Sequence, residues 1–94
     1  MAIVQIHATV KGRVQGVGFR NWTYSQARLF GVTGWVKNAP QGEVAILAEG
    51  EESQIGEFIE AIKQGPRLSK ITEVVVESKE LQYRDYGDFQ VLKE

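Results

Sequence analysis

Ile3-Val4-Gln5-Ile6-His7-Ala8-Thr9-Val10-Lys11 alternates apolar and polar side chains from Val4 onward. Val4, Ile6, Ala8 and Val10 fall on one side and Gln5, His7, Thr9 and Lys11 on the other, the period of a strand with one face buried. The strand runs straight into Gly12-Arg13-Val14-Gln15-Gly16-Val17-Gly18. Asn21 then stands where it can cap a helix in which Trp22, Thr23, Ala27, Leu29 and Phe30 recur at helical spacing, and Gly31 is a natural stop.

Two short alternating runs follow, Thr33 to Asn38 and Glu43 to Glu49, with Ala39-Pro40-Gln41-Gly42 between them as a hairpin turn, so these strands pair antiparallel. In the next segment Ile55, Phe58, Ile59 and Ile62 sit at i, i+3, i+4 and i+7 of a helix that Gly65-Pro66 ends, while Glu49, Glu51 and Glu52 read as charges near its positive N-terminal dipole. Residues 70 to 79 form a strand with Val74 and Val76 inward. A polar loop through Tyr83-Arg84-Asp85-Tyr86-Gly87 leads to a last short run, Phe89 to Leu92. The order βαββαβ plus a tail strand predicts an α+β, ferredoxin-like sandwich: an antiparallel sheet with both helices on one face.

Ninety-four residues make one domain, 1–94, because a chain this short buries a single core. A hydrophobic share of 43% and a charged share of 24% are ordinary for a soluble protein. No apolar run approaches the ~18 residues of a membrane span, and the N-terminal residues do not read as a secretory signal, so the expected compartment is the cytoplasm. With no cysteine there is no disulfide, thiolate nucleophile or thiolate zinc site. A net charge of -1 offers no general attraction for nucleic acid. No obvious apolar patch points to an oligomer, so a monomer is expected.

Any anion site must therefore be local, and the glycine-rich loop is where the sequence offers one. Three glycines in seven residues before a helix let consecutive backbone N–H groups converge on an oxyanion, and Arg20 adds a planar charged fork. The spacing G-x3-G-x-G, with no following Lys-Ser or Lys-Thr, matches neither nucleotide-binding template. Taken alone, the loop reads first as a turn between strand and helix, and Asn38 as a polar residue opening a hairpin. Lys11, Arg13 and Lys37 either add positive potential near the loop or face solvent. Trp35 reads as a packing residue and His7 as a solvent-facing one. Tyr83 and Tyr86 belong either to a solvated loop or to a frame for a ligand.

Two segments together carry a family resemblance. Val10-Lys11-Gly12-Arg13-Val14-Gln15-Gly16-Val17-Gly18-Phe19-Arg20 closely resembles the first acylphosphatase signature. Gly34-Trp35-Val36-Lys37-Asn38-Ala39-Pro40-Gln41-Gly42-Glu43-Val44, continuing to Gly50, resembles the second. The likeness extends through Gly65-Pro66 and Phe89-Gln90-Val91. Gln41 stands where family members often carry aspartate, and Phe30 where they often carry leucine. The resemblance implies hydrolysis of acyl phosphates to a carboxylate and inorganic phosphate. It further implies that the backbone amides of Gln15, Gly16, Val17, Gly18, Phe19 and Arg20 hold the phosphate together with the Arg20 guanidinium, and that Asn38 holds the attacking water.

Such a site is chemically sparse. Asn38 cannot titrate, so it can orient a water but not deprotonate it, and His7 lies in mid-strand, far from the loop. A carboxylate is a good leaving group, its phosphoryl transfer is loose, and a phosphate oxygen of the substrate can take the water's proton. Positioning and electrostatics then suffice, with no metal or other cofactor. The alternative reading is a non-catalytic phosphate or acyl-phosphate binding module.

Overall fold

The computed structural model describes residues 2 to 93; Met1 and Glu94, the two ends of the expected domain, lie outside the described residues. The alternating segment is strand β1 (Ile3–Arg13), which lies inside the sheet. It pairs antiparallel with β3 (Val44–Glu51) on one side and with β4 (Lys70–Leu81) on the other. Strand β2 (Thr33–Asn38) pairs antiparallel with β3, and β5 (Phe89–Val91) adds beyond β2, giving the order β4-β1-β3-β2-β5.

Helices α1 (Phe19–Phe30) and α2 (Glu52–Gln64) each connect parallel strands that have one strand between them. Such crossovers are right-handed, and two of them of the same hand place both helices on one face. There Ile6, Ala8 and Val10 of β1 and Val44, Ile46 and Ala48 of β3 meet Phe19 and Ala27 of α1 and Ile55, Phe58 and Ile62 of α2 in one core.

Several details differ from the sequence reading. The four main strands are antiparallel to their neighbours, as expected, but β5 runs parallel to β2, so the sheet is mixed. A chain that turns back after β4 and crosses to the opposite edge arrives in the direction of β2. Helix α1 begins at Phe19 rather than after Asn21, with Gly18 at its N-cap in a left-handed conformation (φ 78°). Its buried stripe is Phe19, Thr23 and Ala27, and the Thr23 hydroxyl donates to the Phe19 carbonyl (2.8 Å), so no polar atom is stranded in the core. Leu29, two residues beyond Ala27, points away from that stripe and is exposed.

Glu49 is not a charge at the start of α2. It is fully buried on the sheet face opposite the helices, under the loop between β4 and β5. One carboxylate oxygen accepts from the backbone N–H groups of Asp85 (2.7 Å) and Tyr86 (3.1 Å), and the other from the Gln5 amide (2.6 Å). Glu51 instead caps α2 in a reciprocal box with Gln54. The loop is tied further by Arg84, which donates to the Gly31 carbonyl (3.0 Å) and to Gln54 (3.0 Å). Its backbone is anchored while the Tyr83 ring faces solvent.

Replacing Glu49 by Ala removes the acceptor for two loop amides and a side-chain amide. A buried donor left without a partner costs roughly 1–3 kcal/mol, and partial opening of the loop to water recovers some of that. Glu49→Ala is therefore expected to lower unfolding stability by about 2 kcal/mol, measured by urea denaturation, whereas Glu77→Ala on the exposed part of β4 should change it little.

Candidate active site

Strand pairing sets the frame of the site. Val44, the first residue of β3, stands opposite both Val10 of β1 and Asn38 of β2. Parallel strands β1 and β2 thus end at the same edge of the sheet, with two strand spacings, roughly 10 Å, between them. The loop after β1 and the turn after β2 face one another across that edge.

The loop's shape has an identifiable local cause. Val14 and Phe19 are both buried, so the segment between them is pinned into the core at each end. Between the pins, Gly16 (φ 75°) and Gly18 (φ 78°) take left-handed conformations, and a side chain at either would meet nothing within 4 Å. Glycine is needed there for its backbone, not for space. Gly12 differs: it lies at a register shift between β1 and β4, where a Cβ would collide with the Lys70 carbonyl. It shapes the end of the strand rather than the anion nest.

Residues 15–18 form a turn, and among the described residues none of the backbone N–H groups of Gln15 through Arg20 makes a well-aligned hydrogen bond to a protein acceptor. The first bond of α1 is Trp22 N–H to the Gly18 carbonyl (3.0 Å). The N-terminal amides of the helix and those of the left-handed turns before it are thus donors without partners, with the helix dipole behind them. They border an open cleft of about 450 Å³ whose walls include Gly16, Gly18, Phe19, Arg20 and Asn38.

Of the residues to which the family resemblance assigns a role, the cleft walls hold all but two. Gln15 and Val17 are not among its walls: the Gln15 side chain turns toward the β2–β3 hairpin, and Val17 packs against the core. The Arg20 guanidinium donates through Nη1 to the Leu92 carbonyl (3.1 Å), and Arg20 makes no salt bridge among the described residues. The backbone bond from Leu92 N–H to the Val36 carbonyl (2.8 Å) holds that acceptor beside β2. Arg20 is therefore steered by a neutral group, and no acidic side chain among the described residues pairs with its charge. The Asn38 side chain has no hydrogen-bond partner among the described residues and is half-buried on the cleft wall.

Other expected contributors lie elsewhere. Lys11 faces Glu43 (3.9 Å) and Glu73 (3.8 Å), and Lys37 lies over the Trp35 ring (5.2 Å), so neither charge is free for the cleft. Trp35 is half-buried and meets His7 edge to face (5.9 Å) on the sheet face opposite the helices. Tyr83 and Tyr86 line no part of the cleft. The cation that the sequence reading missed is Lys93, which reaches the wall because β5 lies next to β2. No local signal marks it, since its position follows from the parallel pairing of β5.

The sequence model of the acylphosphatase family matches residues 6–91 of the chain. The chain is 38% identical over 91 residues to the acylphosphatase of Acaryochloris marina, covering 97% of this chain and 96% of that one. The crystal structure of acylphosphatase from Bacillus subtilis superposes with a TM-score of 0.89 at 39% identity, covering 95% of this chain and 98% of that chain. A similar match, with a TM-score of 0.85 at 36% identity, is to full-length HypF in its phosphate- and nucleotide-bound form, of which 12% is covered.

The positive φ angles of the loop carry a specific expectation. An alanine at φ near +75° costs roughly 1–2 kcal/mol, and the loop relieves that by turning its amides off the common focus. Gly16→Ala and Gly18→Ala should each weaken inorganic phosphate binding at least five-fold in a calorimetric titration. Gly87→Ala, at an open position outside the left-handed region, should leave it unchanged.

Proposed function

From the premise that this chain belongs to the acylphosphatase family, we propose how its cleft hydrolyses the carboxyl-phosphate bond of acyl phosphates. It is an enzyme, as its family relatives are. The observation that carries the mechanism is the convergence on one cleft of amides, an arginine and an asparagine side chain that have, among the described residues, no amide acceptor, no acidic counter-charge and no hydrogen-bond partner respectively.

The phosphoryl group of the substrate sits on the amides between Gln15 and Arg20, with the Arg20 guanidinium on its remaining oxygens. Asn38 holds a water in line with the bond to be broken. As the water oxygen bonds to phosphorus, the bond from phosphorus to the acyl oxygen breaks, and its electron pair leaves with the carboxylate. The water's proton passes to a phosphate oxygen, so the products are a carboxylate and inorganic phosphate, and no protein base is required. Among the described residues no three His, Asp or Glu side chains gather at ligand spacing. The positive potential in this proposal comes from Arg20, the amide nest and Lys93 on the cleft wall, and the proposed reaction calls for no metal or other cofactor.

The leaving group sets the substrate class. The alcohol of a phosphate monoester departs as a strongly basic alkoxide and calls for a positioned general acid, a role this proposal assigns to no residue of the cleft, whereas the carboxylate of an acyl phosphate needs none. We further propose a single domain, 1–94, acting as a monomer. The large apolar side chains that are exposed are spread over α1 (Tyr24, Leu29), the turn before β4 (Leu68), β4 (Val75) and the loop after it (Tyr83, Tyr86). The proposed compartment is the cytoplasm, since a cysteine-free chain gains nothing from an oxidising one.

Benzoyl phosphate hydrolysis tests the mechanism directly. Arg20→Ala should reduce turnover by at least 100-fold, in the range seen when one group stabilising transition-state charge is lost. Asn38→Ala should abolish turnover while inorganic phosphate still binds, and loss of that binding would contradict a water-positioning role. A chelator should leave the rate unchanged; a loss restored by a divalent ion would overturn the metal-free mechanism. Phosphate binding by a wild-type protein that turns over no acyl phosphate would favour a non-catalytic binding module instead.

A further inference from the structure

The amide and asparagine halves of the cleft come from different parts of the chain, and one side chain joins them. Gln15 is the first residue after the buried Val14, and its side-chain amide donates to two carbonyls of the β2–β3 turn: Ala39 at 2.9 Å and Glu43 at 2.8 Å. These carbonyls also close the turn, since Glu43 accepts from Ala39 N–H (2.7 Å) and Ala39 from Gly42 N–H (3.2 Å). Both hydrogens of the Gln15 amide are used, and both fall within a turn that starts one residue after Asn38.

We propose that Gln15 is a positioning residue: its side chain holds the Asn38 hairpin at a set distance from the phosphate loop, so that the water on Asn38 meets phosphorus in line. This rests on the roles proposed above for the loop and for Asn38. Among the described residues no other side chain of the segment from Val14 to Gly18 hydrogen-bonds the turn. The shape of the nest does not depend on the bridge, because it is set by the Val14 and Phe19 anchors and by the left-handed conformations of Gly16 and Gly18. The two functions should therefore separate. Losing the bridge leaves the phosphate seat formed and lets the hairpin drift, and a displacement of about 1 Å at a reacting geometry can cost on the order of 100-fold in rate.

Gln15→Met keeps the length of the side chain and removes both donors. With benzoyl phosphate, kcat is expected to fall at least five-fold while the competitive inhibition constant of inorganic phosphate stays within two-fold of wild type. Gln15→Lys, which restores donors at similar reach, should recover part of kcat. A smaller loss in Gln15→Met, or a rise in the phosphate constant parallel to the loss of kcat, would overturn the proposal. A measurement on the unaltered protein covers the case in which the variant does not fold: by NMR, both Gln15 side-chain amide hydrogens should exchange with solvent at least ten-fold more slowly than those of the exposed Gln90. Equal rates would also overturn the bridge. Because exchange and phosphate binding are read without turnover, failure of the bridge is distinguishable from failure of the hydrolytic mechanism.

Discussion

The arrangement of the cleft depends on the insertion of β3 between β1 and β2. Backbone hydrogen bonds fix Val44 opposite Val10 on one side and Asn38 on the other, and register in a sheet with one buried face is stiff, because a slip of one residue would turn the whole apolar set outward. Two segments far apart in the chain are thereby held at one level of the sheet. The crossover α1 has to start beside that edge, and its unpaired amides start there with it.

On that frame the loop needs little further specification. Val14 and Phe19 bury their side chains at its two ends, and two glycines take the left-handed turns between them. The resulting concavity is made of backbone, which neither titrates nor adopts alternative rotamers. Such preorganised dipoles stabilise charge without reorganising during the reaction. Arg20 adds a full charge and is steered by a carbonyl from the segment that follows β5. That acceptor comes from more than seventy positions along the chain, which ties the tail strand to the cleft. Glu49 on the opposite face fastens the loop that delivers β5 to its place. The chain from Glu49 to Arg20 therefore runs through the outermost strand pairing of the sheet.

Much of this was legible in the residues. The alternation in β1, the spacing of Ile55, Phe58, Ile59 and Ile62 and the Ala39-Pro40-Gln41-Gly42 turn each encode a local period or turn that tertiary context does not override. Glu49, Asn21 and Leu29 were misread for a common reason. Each was judged by its neighbours in sequence, whereas Glu49 is claimed by a loop 36 residues away, and the start and buried side of α1 are set by Phe19 entering the core.

By itself, then, the sequence determined the order of elements and the run of glycines before the first helix, because these are written in residue type and short-range spacing, while Arg20 and Asn38 stood out as a pair only through the resemblance of two segments to a known family. Tertiary structure alone decided that Arg20 and Asn38 share a cleft, that Lys93 joins them while Lys11 and Lys37 do not, and that β5 runs parallel to β2. It also turned the Gln15 side chain toward the hairpin. All of these follow from strand register and chain crossing, and no local pattern of residues specifies which distant backbone a side chain will meet.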